Sequence, residues 1–495
     1  MTAYTALETR FRQVSALDGA SSILHWDAAT MLPAGANDVR GDHLAALAEV
    51  AHEKLTAADM PDLFLEAEAD DDALDPWQHA NLREMKHRYT HAASLPQSLV
   101  AALTRARLAS EHQWRASKAA NDYASFAPLF SEVVSLTREA GAAKADALAL
   151  SPYDALLDGY DPGLRCADID PLFADLSTWL PALVDTVIEK QSREQVIEPA
   201  DLIPIAKQEA LGRELMHALG FDFTRGRIDT SVHPFCGGVP GDVRLTTRYR
   251  EDRFTDSLYG VLHETGHALY EMGLPREYRG LPVADARGMT AHESQSLLVE
   301  MQLALSRPFL EFLVPKLQAA FGVSGDAWGV DNLQRSLTRV ERSFIRVNAD
   351  EVTYPLHVML RYGLEKSILA GDLQVADIPG AWDDAFETLL RIRPTNLADG
   401  CLQDIHWPEG MFGYFPTYSL GAMLAAQLFA RFKAAHPAWE TDIAAGNFTP
   451  LTAWLGEALH SKGSLLSTPE LIKSATGAPL STAAFKAHLQ TRYLT

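Results

Sequence analysis

The stretch VLHETGHALYEMGLP (residues 261–275) places two histidines four residues apart, with a glutamate directly after the first. Its reading decides whether the chain is built around a metal-bearing helix. On an α-helix, residues i and i+4 share a face, so His263 and His267 can present two imidazoles to one ion. Glu264 lies about 100° further round the helix. There it flanks the metal side and can hold water without ligating. Leu258, Val261, Leu262, Leu269 and Met272 make the opposing apolar stripe that would seat the helix in a core. Gly260 and Gly266 fall towards the histidine side. Each costs roughly 1 kcal/mol of helix propensity against alanine and lets another element come close. Gly273 and Pro275 supply the stop signal. The competing reading is a pair of ordinary histidines, satisfied in the core or at the surface.

A catalytic zinc site needs a third protein ligand and an open fourth position. Glu293, in GMTAHESQSLLVEMQLALS (288–306), is the candidate. Residues 289–306 read as a second helix. Thr290 can serve as its N-cap, with Glu293 completing a capping box, and that is the competing role for Glu293. His292 can ligate, hydrogen-bond or face water, and is not taken as a ligand. Glu300, two turns on, can support a ligand from behind.

Most of the remaining chain also has helical periodicity. LVAALTRARLASEHQWRASKAA (99–120) and FAPLFSEVVSLTREAGAAKADALAL (126–150) carry apolar residues at three- and four-residue spacings. SPYDALLDGYDPG (151–163) is a break, followed by another helical run to about Lys190. DVRLTTRYRED (242–252) differs. Val243, Leu245, Thr247 and Tyr249 alternate with Asp242, Arg244, Thr246 and Arg248, a strand signal between the loop SVHPFCGGVPG and the HETGH helix. An exposed strand edge there could align an extended peptide. The fold class is mainly α with a small β-sheet next to the HExxH helix. With no repeat or low-complexity linker, residues 1–495 read as one unit.

The chain has 495 residues, 47% of them hydrophobic and 22% charged, as in soluble globular proteins. A formal net charge of −22 argues against a nucleic-acid partner. Three dispersed cysteines suggest neither a disulfide framework nor a thiolate metal site. There is no secretory h-region and no apolar run of about 18 residues, so a cytoplasmic location without membrane attachment is expected.

HETGH followed by Glu293 in HESQS resembles the carboxypeptidase Taq family of zinc metallocarboxypeptidases. The resemblance extends to HWDAATMLPAGA (25–36), HPF (233–235), DVRLTT (242–247), IRVNAD (345–350), GCLQDIHW (400–407) and GYFPTYSLG (413–421), in the family's order. It implies a two-lobed helical metallopeptidase with a deep central groove and one zinc per chain at the groove floor, replaceable by cobalt. It further implies His263, His267 and Glu293 as zinc ligands and Glu264 as general base. The expected activity is removal of single residues from free peptide C-termini, with broad specificity and little liking for C-terminal proline. A homodimer is the expected assembly.

Peptide hydrolysis at neutral pH needs activated water. Zinc acidifies it, and Glu264 can take its proton and deliver it to the leaving amine. For the oxyanion, candidate donors are His406 with Tyr418 or Tyr414. Related helical peptidases place a histidine and a downstream tyrosine there, which favours Tyr418, while the tyrosines' other reading is packing. Arg346 is carried over as the binder of the substrate carboxylate, because a guanidinium fork grips carboxylate bidentately. From spacing alone, Arg346 and Asp350 would be an i,i+4 pair on a helix running through residues 340–366, kinked at Pro355. On the substrate side, Asp350 can orient Arg346. His233 is a further substrate-site candidate, and Arg244 is either another or part of a buried pair. Cys236 is expected to be an inert thiol. Two rivals remain: a zinc endo-oligopeptidase, and a catalytically silent helical peptide-binding protein.

Overall fold

The computed structural model describes residues 2–495. Among these residues, nine α-helices precede a small sheet. They are α1 (Ala3–Thr30), α2 (Asn37–Leu55), α3 (Met60–Ala69), α4 (Pro76–Ala93), α5 (Gln97–Ala120), α6 (Tyr123–Leu148), α7 (Pro152–Leu157), α8 (Cys166–Gln191) and α9 (Ile205–Ala218). Then come β1 (Gly226–Thr230), β2 (Phe235–Val239) and β3 (Asp242–Thr247), followed by α10 (Phe254–Gly273) and α11 (Gly288–Leu297). The remainder is α12 (Arg307–Phe321), α13 (Val330–Leu337), α14 (Tyr354–Ala370), α15 (Ile378–Leu390), α16 (Pro416–Ala435), α17 (Trp439–Ala444), α18 (Thr449–Ala458), α19 (Thr468–Thr476) and α20 (Thr482–Leu494).

The expected small sheet lies beside the HExxH helix, in the order β1-β3-β2. β1 runs parallel to β3 and β2 antiparallel to it. Val243 and Leu245 of β3 are buried and pack with Met216, Phe221 and Val261, so the apolar half of the strand alternation is what docks α10 against the sheet. The pairing stops at Thr247, where residues 242–252 had read as one strand. Half of the expected loop 231–241 is β2, whose short, glycine-bearing sequence FCGGV carries no period-two signal. β2 is partly exposed along its length and tied to α1 at one point. The Ser22 hydroxyl of α1 donates to the Gly238 carbonyl at 2.7 Å.

Leu258 and Leu262 of α10 enter the largest core, which contains buried residues from Ala106 to Tyr493. A separate small core joins α1, α3 and α4 through Tyr4, Leu7, Phe11, Met60, Phe64, Leu82 and Met85. Two expected helices are broken. The 289–306 helix is α-helical only to Leu297 and continues as a π-helical turn, Leu298–Leu303. The run through 340–366 is irregular until Tyr354, apart from a 3-10 turn at Arg346–Asn348. Pro355 therefore starts α14 rather than kinking it. A proline N–H is not missed in a first turn, and its ring disfavours helix upstream.

Candidate active site

α10 and α11 cross where one of them has no side chain. A Cβ on Gly266 would lie 2.3 Å from the Gln295 carbonyl oxygen. Gly421 of α16 does the same on the other side, since its Cβ would lie 2.9 Å from Cβ and Cγ of Glu293. Glu293 is thus clamped between two helices. It is not in a capping box. Arg287 precedes the helix without a side-chain cap, the Thr290 hydroxyl has no partner, and the Thr290 N–H is taken by Asp161 at 3.1 Å.

The clamp brings ligating atoms of His263, His267 and Glu293 within 4.8 Å of one another. Each imidazole is held from behind. His263 Nδ1 meets Glu300 Oε2 at 2.8 Å, which the π-helical turn supplies. His267 Nδ1 lies 3.1 Å from the His292 carbonyl and 2.7 Å from His292 Nδ1, whose ring in turn meets Glu271 at 2.8 Å. His292 accordingly sits behind the cluster. With Nδ1 engaged on both rings, Nε2 is the nitrogen left to face an ion. His267 Nε2 and Glu293 Oε2 are 3.5 Å apart.

Burial and the neighbouring charges set the protonation of this cluster. Burial lowers His267 to about 4, with His292 adding to the effect. For Glu293, burial is outweighed by the His267 hydrogen bond and the charges of His263 and His267, which hold it at about 2. Burial likewise opposes His263, but the Glu300 hydrogen bond and surrounding carboxylates carry it to about 10. Burial raises Glu264 to about 7, against the pull of His263 and with a push from Glu293. Its Oε2 is buried without a hydrogen-bond partner. Two imidazole nitrogens and one carboxylate oxygen are a donor set of the kind that holds zinc. An unpaired carboxylate oxygen beside them is placed to hold water. These residues fit the metal.

Arg346 lies in the 3-10 turn and is buried. Its partner is not Asp350 but Asp404, in the QDIHW segment. Arg346 Nε donates to Oδ1 at 3.0 Å, and Arg361 Nε donates to Oδ2 at 2.6 Å. Among the described residues, Asp404 is the one carboxylate bonded to either guanidinium. The Arg361 and Arg346 charges and the hydrogen bond with Arg361 outweigh burial and hold the Asp404 carboxyl far below the usual range. The nearby histidines add no further positive charge: burial keeps His406 at about 3, helped by Arg346, and His357 well below its ordinary value. Two buried cations share one anion. Asp404 stands two residues before His406 in GCLQDIHW, and no spacing in the sequence ties it to Arg346 or Arg361. Asp350 instead closes its own loop, accepting from the backbone of Glu341, Val352 and Thr353.

The Arg346 guanidinium stacks 4.9 Å from the Tyr418 ring centre. Tyr418 opens α16, one turn before the Gly421 that packs on Glu293, so one helix spans the cation and the ligand cluster. His406 Nε2 lies 3.2 Å from the Tyr418 hydroxyl. A neutral His406 donating through Nε2 would leave the Tyr418 proton free to point elsewhere. Tyr414 meets Tyr418 edge-on at 5.2 Å, and its other edge contact is Tyr160. His233 is exposed on the loop before β2. Arg244 pairs with Asp242 at 2.7 Å and stacks on Trp26. Burial raises the Cys236 thiol well above its ordinary value, as expected of an inert sulfur.

The whole chain resembles known metallocarboxypeptidases. The family model described as Carboxypeptidase Taq (M32) metallopeptidase matches residues 6–493. Thermostable carboxypeptidase 1 of Thermus thermophilus is 36% identical over 99% of this chain and 98% of its own length. Carboxypeptidase 1 of Bacillus subtilis is 32% identical over 97% and 96%. Among solved structures, Trypanosoma cruzi metallocarboxypeptidase 1 superposes with a TM-score of 0.97 at 40% identity, covering 100% of this chain and 99% of that one. The M32 carboxypeptidase of Deinococcus radiodurans gives 0.93 at 32% identity, covering 99% and 98%.

Proposed function

This chain belongs to the carboxypeptidase Taq (M32) metallopeptidase family and is a peptide hydrolase, and from that premise we propose that it is a zinc carboxypeptidase of broad specificity, trimming peptides from a free C-terminus. His263, His267 and Glu293 would hold the ion. Zinc, when bound, supplies a Lewis acid that acidifies water and polarises a carbonyl.

The protein's own residues do the rest. Glu264 Oε2 takes the proton of the attacking water and hands it to the leaving amine. This Oε2 is buried and has no hydrogen-bond partner, which leaves that oxygen free for the water. Tyr418, steadied by His406, donates to the developing oxyanion, with Tyr414 packed behind it. Arg346 binds the terminal carboxylate, with His233 on the substrate side, while Asp350 shapes the loop that carries Arg346. One observation supports exopeptidase over endopeptidase action. The Arg346–Asp404–Arg361 group holds one buried positive charge too many, beside Tyr418, and a substrate carboxylate would balance it. We further propose a single peptidase unit, two lobes about a groove, working as a cytoplasmic homodimer that also accepts cobalt.

The test compares a peptide with its C-terminally amidated twin, with and without chelator. The free peptide should lose its last residue in a chelator-sensitive way and the amidated one should resist. Equal cleavage of the two would sink the exopeptidase assignment. Glu264→Gln should keep its metal while turnover falls by about 10²–10⁴-fold. Wild-type turnover in that variant would remove Glu264 from its role.

A further inference from the structure

Among the described residues, one group outside the catalytic cluster also brings metal-ligating atoms within 4.8 Å: His87, His91 and Asp158. Its construction repeats that of HETGH. Two histidines at i and i+4 share a face of α4, and a carboxylate comes from another element, here the residue closing α7. His87 Nε2 and His91 Nε2 converge on the same oxygen, Asp158 Oδ2, at 2.6 and 2.9 Å. The other oxygen is fixed by Arg165 Nη1 at 2.6 Å and the Gly163 N–H at 3.0 Å, so the carboxylate is oriented from behind. Asp158 is buried and His87 half-exposed, which leaves an approach from solvent.

We propose that His87 Nε2, His91 Nε2 and Asp158 Oδ2 form a second metal site, selecting a divalent transition ion of zinc's class. Ligands about 2.0 Å from a tetrahedral ion stand roughly 3.3 Å apart, so small side-chain rotations open this cluster to size. The donor set is again two imidazoles and a carboxylate. The charge differs: Arg165 offsets Asp158, whereas the catalytic cluster has Glu264, Glu293 and Glu300 around it. The second site therefore fills after the first. An ion here ties α4, a member of the small N-terminal core, to the turn that carries Tyr160 and through it contacts Tyr414.

Metal-stripped full-length protein should be titrated with Zn²⁺ by equilibrium dialysis, in wild type, His87→Gln/His91→Gln and His263→Gln/His267→Gln. Two equivalents are expected in wild type and one in each double variant, with circular dichroism unchanged. His87→Gln/His91→Gln loaded with one equivalent should retain wild-type turnover. The decisive quantity is the equivalent lost on removing His87 and His91, whatever HETGH binds. If that variant binds as much zinc as wild type, no second site exists here and any extra ion is adventitious. Should it not fold, His263→Gln/His267→Gln decides: an equivalent bound with a zinc-dependent rise in Tm upholds the site, and no bound zinc overturns it.

Discussion

Asp404 shows how much rests on one side chain. It neutralises one of two buried guanidiniums and fixes the direction of both. Asp404→Asn leaves two uncompensated cations in the interior, at a cost of about 3–5 kcal/mol, to be read from urea denaturation. A loss below about 1 kcal/mol would mean that water, not Asp404, balances the pair. The pairing could not be read from spacing. Arg346 and Asp350 lie four apart, but the backbone between them is not helical, and the actual partner is 58 residues away. The two histidines and Glu264 were legible because helical spacing alone puts them on one side. Glu293 had two local readings, and only contact with α10 and α16 separates them.

At the level of elements, the glycines of α10 and α16 set the distances within the His263–His267–Glu293 cluster. Gly266→Ala must push α11 away from α10, because its Cβ would fall 2.3 Å from a backbone oxygen that cannot swing aside. Overpacking of this kind costs about 1–3 kcal/mol. Zinc affinity should fall with it, as Glu293 moves off the histidine face. Metal retention under graded chelator measures this, and wild-type retention would show that the helices tolerate the wider spacing. The close approach at Gly266 was readable in advance, since a glycine on the functional face of a helix has few other reasons to be there. α5, α6 and α8 also match their periodic patterns. The π-helical turn was not readable. The apolar pattern of LLVEMQLAL continues through it, and only the wider winding delivers Glu300 to His263. β1 and β2 are too short to show a period and exist because β3 lies between them.

Across the whole molecule, acid stability has an identifiable source. Glu351 is buried against His488, Arg492 and Tyr493 of α20 and Gln302 of the π-helical turn. Burial alone would raise its carboxyl, but the His488 and Arg492 charges bring it from 4.5 down to about 2. A lowered folded value means stability present in full above the unfolded value and lost as pH falls from about 4.5 towards 2. At neutral pH the Arg492 charge is the one that acts, because burial lowers His488 below its ordinary value and leaves its ring uncharged there. Removing the carboxylate leaves Arg492 uncompensated, so denaturation curves of wild type and Glu351→Gln should differ by about 3 kcal/mol at pH 7 and converge towards pH 2. A constant difference would place the loss in packing instead. The overall class, helical with one small sheet, was legible in the sequence; the lashing of α20 to the body was not, because it joins residues well over a hundred positions apart. The shared Asp404 has a last consequence, under the role proposed for Arg346. A cation left half-balanced for a carboxylate has no means of telling substrate from shortened product, since each cut uncovers a new carboxylate. Sampled over time, one peptide should yield a ladder of species a single residue apart, halting at the first residue the site refuses.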